Sequence, residues 1–463
     1  MKMSSEQPKP HVVVMPWAAQ GHLNPAFQFS RKLVSKGLAV TLLTFTDEKI
    51  TQVAAGGTES VAVEVISDRG LLANADGNFL ANHRKLVEVE LSEFVGRQTV
   101  RPCCLVYDSI MPWAVGIARE LGMVGAAFFT QPAAVNGVFL EVMEGRIGVP
   151  PEKGMVTEVE GWPAAMEVCD LPSFVSDVLD SPSRRMGLEM MAGQFSTARE
   201  ADWVFCNTFY TLEEKMLNWM TTQSIQMKPV GPTIPSSYVG KEGPTQTNSN
   251  YGLSLFNPNS PQTSITQWLD SKPPSSVIYA SMGSVSNISQ TQTSELAQAL
   301  QLSTHPFIWV VRKTEQDKLP PKFISETTSG LIVDWCNQLD VLAHPSVGCF
   351  VTHCGWNSTL EALCLGVPMV AIPVWADQPT NAKFVADVWY VGARARADIA
   401  KDMMTKEEIG DRIVEVMEGE SGDKIRRNAK KWSALAKEAI GDRGSSERNV
   451  QEFVTALVHG RLA

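Results

Sequence analysis

No uninterrupted apolar run of 18 residues occurs in the 463-residue chain, so the sequence encodes no helix of membrane-spanning length. The first ten residues, MKMSSEQPKP, lack the apolar core of a secretory leader, and the expectation is a soluble, cytoplasmic protein. Cysteine is sparse. The eight cysteines show no dense, regular spacing, which is the pattern of reduced buried thiols and not of a disulfide scaffold. Cys336, Cys349, Cys354 and Cys364 fall near His344 and His353, but separations of 13, 5 and 10 match no zinc-ligand pattern, and no metal is expected. Positive charge is in deficit, with 40 Lys and Arg against 50 Asp and Glu, so the basic face that a nucleic-acid partner needs is missing. Neither half carries G-x-G-x-x-G with a downstream ribose-binding acid, which disfavours a dinucleotide-dependent oxidoreductase. There is no internal sequence repeat. What remains is an ordinary globular composition, 44% hydrophobic and 19% charged.

A chain of this length is too long for one core and fits two domains with a cleft between them. His11 to Met15 reads as a strand, Gln20-Gly21-His22-Leu23 as a turn, and Asn24-Pro25 as the cap and first residue of a helix stopped near Gly37. Strands follow at Val40 to Phe45, Cys104 to Tyr107, Gly125 to Phe129 and Trp203 to Cys206, with a helix at Pro112 to Leu121. Such alternation predicts a doubly wound parallel sheet. Gly, Pro, Ser, Asn and Thr crowd between Ser236 and Ser264, the signature of a linker, and the strand-helix pattern restarts at Ser276. The expected division is 1–240, a linker over 241–264, a second domain over 265–445, and a last helix over 446–463, capped by Ser445 or Ser446. Thr405 to Glu408 reads as a capping box.

The 44-residue run from Trp335 to Gln378 places a strand before His353-Cys354-Gly355-Trp356-Asn357-Ser358 and a helix after it, a ready phosphate site. With Trp, His, Gly-Trp-Asn-Ser, Glu and Asp-Gln at their offsets, the run closely resembles the donor signature of plant family 1 UDP-glycosyltransferases. That resemblance implies the GT-B fold, an α/β arrangement of two facing Rossmann-like domains, with the last helix crossing back to the first. It also implies UDP-glucose as cosubstrate, with Gln378 matching glucose-specific members. Ser284, His353, Gly355, Asn357 and Ser358 would hold the diphosphate, Trp335 would stack on the uracil and the Cys336 backbone would read its edge. Gln338 and Glu361 would bind the ribose, and Trp356, Asp377 and Gln378 the hexose. Each residue also has a plainer reading: Ser358 and Glu361 are spaced as a capping box, Trp335 suits a core, and Asp377 suits a helix cap. The joint spacing favours the site, because buried polar groups without partners are costly. Two departures stand out: Asn337 replaces the family's usual Pro, a change expected to loosen the uracil loop, and Met282 replaces an aromatic.

The segment PWAAQGHLNP resembles the family's catalytic-histidine loop, and Val106-Tyr107-Asp108-Ser109 resembles the segment whose aspartate holds that histidine. His22 would be the general base and Asp108 its orienting partner. Trp17, Met111, Phe128, Phe129, Met191, Phe195 and Trp375 are the candidates for an apolar acceptor pocket. Wider similarity resembles the branch acting on steroids, triterpenoids, diterpenoids and small aromatic acids, although Arg69 departs from that branch. The expectation is an inverting O-glucosyltransferase acting as a monomer on a bulky hydrophobic acceptor, most like a steroid or triterpenoid. Glucose-ester formation on small aromatic or diterpenoid acids is the alternative, and a noncatalytic nucleotide-sugar binder is the alternative of another class.

Overall fold

A computed structural model describes residues 8–45, 61–66, 79–152, 154, 156–157, 162, 164–176, 182–239, 262–284, 287–398, 401 and 403–460. His11–Met15 is buried at every position and forms β1. Alternate side chains of a strand point to opposite faces, so a run apolar throughout requires cover on both sides. β2 (Ala39–Phe45) and β3 (Ala62–Ile66) carry the sheet to its edge, where only Ile66 of β3 is buried, and the same logic builds β4 (Cys104–Asp108) and β5 (Val124–Phe129). A short antiparallel ribbon, β6 (Val156–Thr157) and β7 (Met166–Glu167), precedes β8 (Trp203–Cys206) and β9 (Met227–Pro229). The first sheet runs β3-β2-β1-β4-β5-β8-β9, and all its pairs are parallel.

In the second domain β10 (Val277–Ser281), β11 (Phe307–Val310), β12 (Gly330–Val333), β13 (Val347–Thr352), β14 (Met369–Ala371) and β15 (Gly392–Arg394) assemble as β12-β11-β10-β13-β14-β15, again wholly parallel. In both sheets the chain winds outward to one side and then returns to the other. The winding reverses between β1 and β4 in the first sheet and between β10 and β13 in the second. Ligands of open α/β sheets bind at the strand carboxyl ends beside this reversal.

The helix Ser445–His459 belongs to the first domain's core, where Val450, Phe453, Val454 and Leu457 pack with Val12, Val14, Phe128 and Phe205. Burying each such side chain contributes about 1.5–3 kcal/mol. Its start differs from expectation. Gly444 occupies the cap position, and Ser446 Oγ donates to the Gly231 carbonyl, so the hydroxyl ties the helix to the first domain. Only half of the box at Thr405 forms: Thr405 Oγ1 accepts from Glu408 N, while Glu408 accepts from Arg396 N.

The first helix, Gln20–Ser35, begins five residues earlier than the Asn24-Pro25 signal indicated, and Pro25 lies inside it. Most of the expected linker, 240–261, and Arg69 lie outside the described residues; Gln262 already starts the helix Gln262–Asp270. All eight cysteines are free thiols. Six are buried, but Cys103 is half-buried and Cys169 exposed, because Cys169 sits on a surface turn beside β7.

Candidate active site

The two winding reversals face one cleft of about 360 Å³. His22 comes from the first turn of the helix after β1, and Asp108 is the last residue of the adjacent β4. Asp108, only 2% exposed, accepts at Oδ2 from His22 Nδ1 at 2.7 Å. The Trp17 amide donates to the same oxygen, and the Ile110 amide donates to Oδ1, both at 3.3 Å. Because a carboxylate only accepts, the proton of a neutral His22 is assigned to Nδ1 and the lone pair to Nε2. Burial alone would lower the basicity of His22. The Asp108 charge and hydrogen bond, with the Asp377 charge behind them, outweigh burial and raise the pKa above 6.5. The ring keeps 19% of its side chain exposed and lines the cleft, so an acceptor proton can reach it.

Every donor residue expected from the sequence lines this same cleft: Ser284, Trp335, Cys336, Gln338, His353, Gly355, Trp356, Asn357, Ser358, Glu361, Asp377 and Gln378. The helix Trp356–Leu365 starts at Gly355 with no side-chain cap and no acid in its first turn, which leaves amide hydrogens for an anion. Ser358 and Glu361 do not form a capping box. Instead Gln338 Nε2 donates to Ser358 Oγ at 3.0 Å and to Glu361 Oε2 at 2.7 Å, while Tyr279 OH donates to Gln338 Oε1 at 3.2 Å. Asp377 accepts from Asn381 Nδ2 and from the Trp356 amide, and burial holds its pKa up at about 6. Gln378 Oε1 accepts from the Val374 and Trp375 amides, so only its Nε2 hydrogens remain for a sugar hydroxyl. Cys354 and Ala376 stand in the left-handed region at φ of 62° and 55°. Each costs about 1–3 kcal/mol, and both lie beside cleft residues.

Burial pushes the pKa of His353 down to about 4, so its ring is neutral and offers hydrogen bonds and no charge to the cleft. Glycines flank that ring: a Cβ added at Gly283 or at Gly355 would come within 2.5 Å of His353 Nε2. Gly283 is fixed also by its φ of +80°, whereas Gly355 is required by space alone. Gly355→Ala is therefore expected to weaken UDP roughly tenfold by displacing the imidazole, with the fold retained. Calorimetric titration with UDP checks this, and unchanged affinity would show that the ring can yield harmlessly.

Asn337 ties down the loop after Trp335, where loosening was expected. Its backbone N–H, which a proline would lack, donates to Gln262 Oε1 at 3.0 Å, and its Nδ2 donates to Tyr238 OH at 3.4 Å. Tyr238 donates in turn to Asp340, so residues on both sides of 240–261 are fastened to the loop that carries Trp335.

The acceptor residues divide. Met191 and Trp375 line the cleft. Met111, Phe128, Phe129 and Phe195 do not, being at most 1% exposed in the first domain's core. Phe128 stacks on Phe29, and Phe129 meets Phe195 on the opposite face of β5. Trp17 is half-buried and packs against the core beside His83 and Phe79. Phe128 and Phe129 lie on a strand covered on both faces, which gives large apolar residues no direction in sequence. Phe174, which sequence reasoning missed, meets Trp375 edge-on at 5.9 Å across the cleft wall. It is held there because Ser173 exchanges hydrogen bonds with Ala376, and Asp170 pairs with Arg394 and Lys383 of the second domain. Arg312 was also missed. It follows β11, lines the cleft and donates to the Ser284 carbonyl; its signal was a cation at a strand's carboxyl end.

Residues 233–439 match the family described as UDP-glucoronosyl and UDP-glucosyl transferase. Over 455 residues the chain is 42% identical to mogroside I-E synthase of Siraitia grosvenorii, covering 96% of this chain and 98% of that one. It is 41% identical to UDP-glycosyltransferase 74E2 of Arabidopsis thaliana, covering 96% and 98%. Its fold superposes on the crystal structure of Os79 from O. sativa in complex with UDP, with a TM-score of 0.86 and 36% identity, covering 96% of this chain and 100% of that one.

Proposed function

The chain belongs to the plant family 1 UDP-glycosyltransferases, a group of GT-B enzymes, and from that premise we propose that it is an inverting, UDP-glucose-dependent O-glucosyltransferase. The observation that carries this reading is the His22–Asp108 pair at the end of one sheet, opposite the Trp335–Gln378 cradle at the end of the other. His22 Nε2 takes the proton of an acceptor hydroxyl as the oxygen attacks the anomeric carbon from the face away from UDP. The bond from that carbon to the diphosphate oxygen breaks, UDP leaves, and the α-linked sugar becomes a β-glucoside. Asp108 stabilises the imidazolium that forms. The diphosphate charge is met by the helix amides at Gly355, the neutral His353, Asn357, Ser358 and Ser284, with Arg312 adjoining.

The acceptor we propose is a bulky apolar alcohol of triterpenoid or steroid type. Phe174, Met191 and Trp375 give the cleft an apolar wall, and a relative 42% identical is a mogroside I-E synthase. Incubating the protein with UDP-glucose or UDP-galactose and a panel of triterpenoid alcohols, steroid alcohols and aromatic acids, with mass detection, tests both halves. Glucosylated alcohols formed from UDP-glucose are expected. Preference for UDP-galactose would overturn the donor assignment, and ester products alone would replace the alcohol reading with the acid one.

A further inference from the structure

Pro25 stands at the sixth position of the helix Gln20–Ser35, past the first turn where a proline is harmless. In an uninterrupted helix residue 25 would donate its N–H to the Gly21 carbonyl. Proline has no N–H, and its ring presses on that carbonyl and turns it outward. The carbonyl thus released accepts from the other domain: Asn357 Nδ2 donates to Gly21 O at 2.8 Å. Gly21 is the chain neighbour of His22, and Asn357 is the second residue of the helix Trp356–Leu365.

A carboxamide nitrogen carries two hydrogens. Fixing one on Gly21 O sets the plane of the Asn357 amide before any ligand arrives and leaves the second hydrogen for an anion in the cleft. We propose that Pro25 is a positioning residue for the sugar-nucleotide diphosphate: by stripping Gly21 O of its helical partner it creates the acceptor that pre-aligns Asn357. The proposal rests on the reading of Asn357 as a diphosphate ligand. It explains why the least favourable residue for a helix interior is buried within the helix that carries the catalytic base. It also gives the donor site a hydrogen-bonded route to the backbone beside His22. Preorganisation of this kind saves the side-chain ordering that binding would otherwise require.

Pro25→Ala supplies the missing N–H and draws the Gly21 carbonyl back into the helix. Four proteins are compared by calorimetric titration with UDP and by thermal unfolding: the native chain, P25A, N357A and the double variant. P25A is expected to melt several degrees higher and yet bind UDP about fivefold more weakly, a combination that damage to the fold would not produce. In the N357A background P25A should have no further effect on UDP, because the residue through which Pro25 acts is gone. UDP binding by P25A equal to native, or an equal loss in both backgrounds, overturns the proposal. Failure of the native chain to bind UDP would instead overturn the diphosphate reading on which it stands. P25S restores the same N–H and gives an independent second measurement.

Discussion

Replacing His22 with alanine is expected to lower kcat with UDP-glucose by about 10²- to 10⁴-fold, the usual contribution of a positioned general base. UDP affinity should be nearly unchanged, because the diphosphate contacts come from the other domain. The separation of the two quantities is the point of the experiment. A misfolded variant would lose both, whereas a lost base leaves the donor bound and idle. Asp108→Asn is expected to fall almost as far. An asparagine can turn its N–H toward Nδ1, which then becomes the accepting nitrogen, and the proton moves to Nε2, the atom that must be free to take one. The Trp17 amide, which shares Oδ2 with His22, would then face the new NH2 and lose its partner, whereas the remaining oxygen still accepts from the Ile110 amide. Native turnover by His22→Ala would remove His22 from the mechanism.

Activity should collapse on acidification in two stages. His22 works only when unprotonated, and its pKa is raised above 6.5, so kcat/KM is flat at higher pH and falls about tenfold per unit below that pKa. Asp377, held at about 6 by burial, must be ionised to accept from sugar hydroxyls. Below about pH 6 both groups are in the wrong state, and the slope should approach about a hundredfold per unit. The two sites are coupled, since the Asp377 charge helps to hold the proton on His22. Asp377→Asn is therefore expected to raise the KM for UDP-glucose, to remove the steeper stage and to move the remaining limb to lower pH. A rate profile level from pH 8 to pH 5 would contradict both assignments.

The cleft lining expected from the sequence was legible because most of its residues are polar, all but Ser284 are drawn from one 44-residue run, and the polar ones have no business in a core at that spacing. His22 and Asp108 were legible for a related reason: polar residues at the ends of apolar strands mark the carboxyl edge of a sheet. The acceptor side was not legible. Phe128 and Phe129 are adjacent on a strand buried on both faces, so nothing in the sequence says which face borders the cleft, and in fact neither side chain reaches it. Phe174 was invisible for the opposite reason, since its place depends on Asp170 and Ser173 binding residues some 200 positions away. The helix start was misread because Asn24-Pro25 is a sound local signal, yet Asn24 Oδ1 accepts from Gln20 Nε2 within the helix and caps nothing.

The return of the last helix to the first sheet bears on recombination. A chimera that joins this acceptor half to another protein's donor half at a single crossover near residue 240 would import a foreign terminal helix onto the surface that Val450, Phe453, Val454 and Leu457 now fill. Grafting the donor half alone therefore takes two crossovers, the second near Gly444, so that the native terminal helix stays with the sheet it completes.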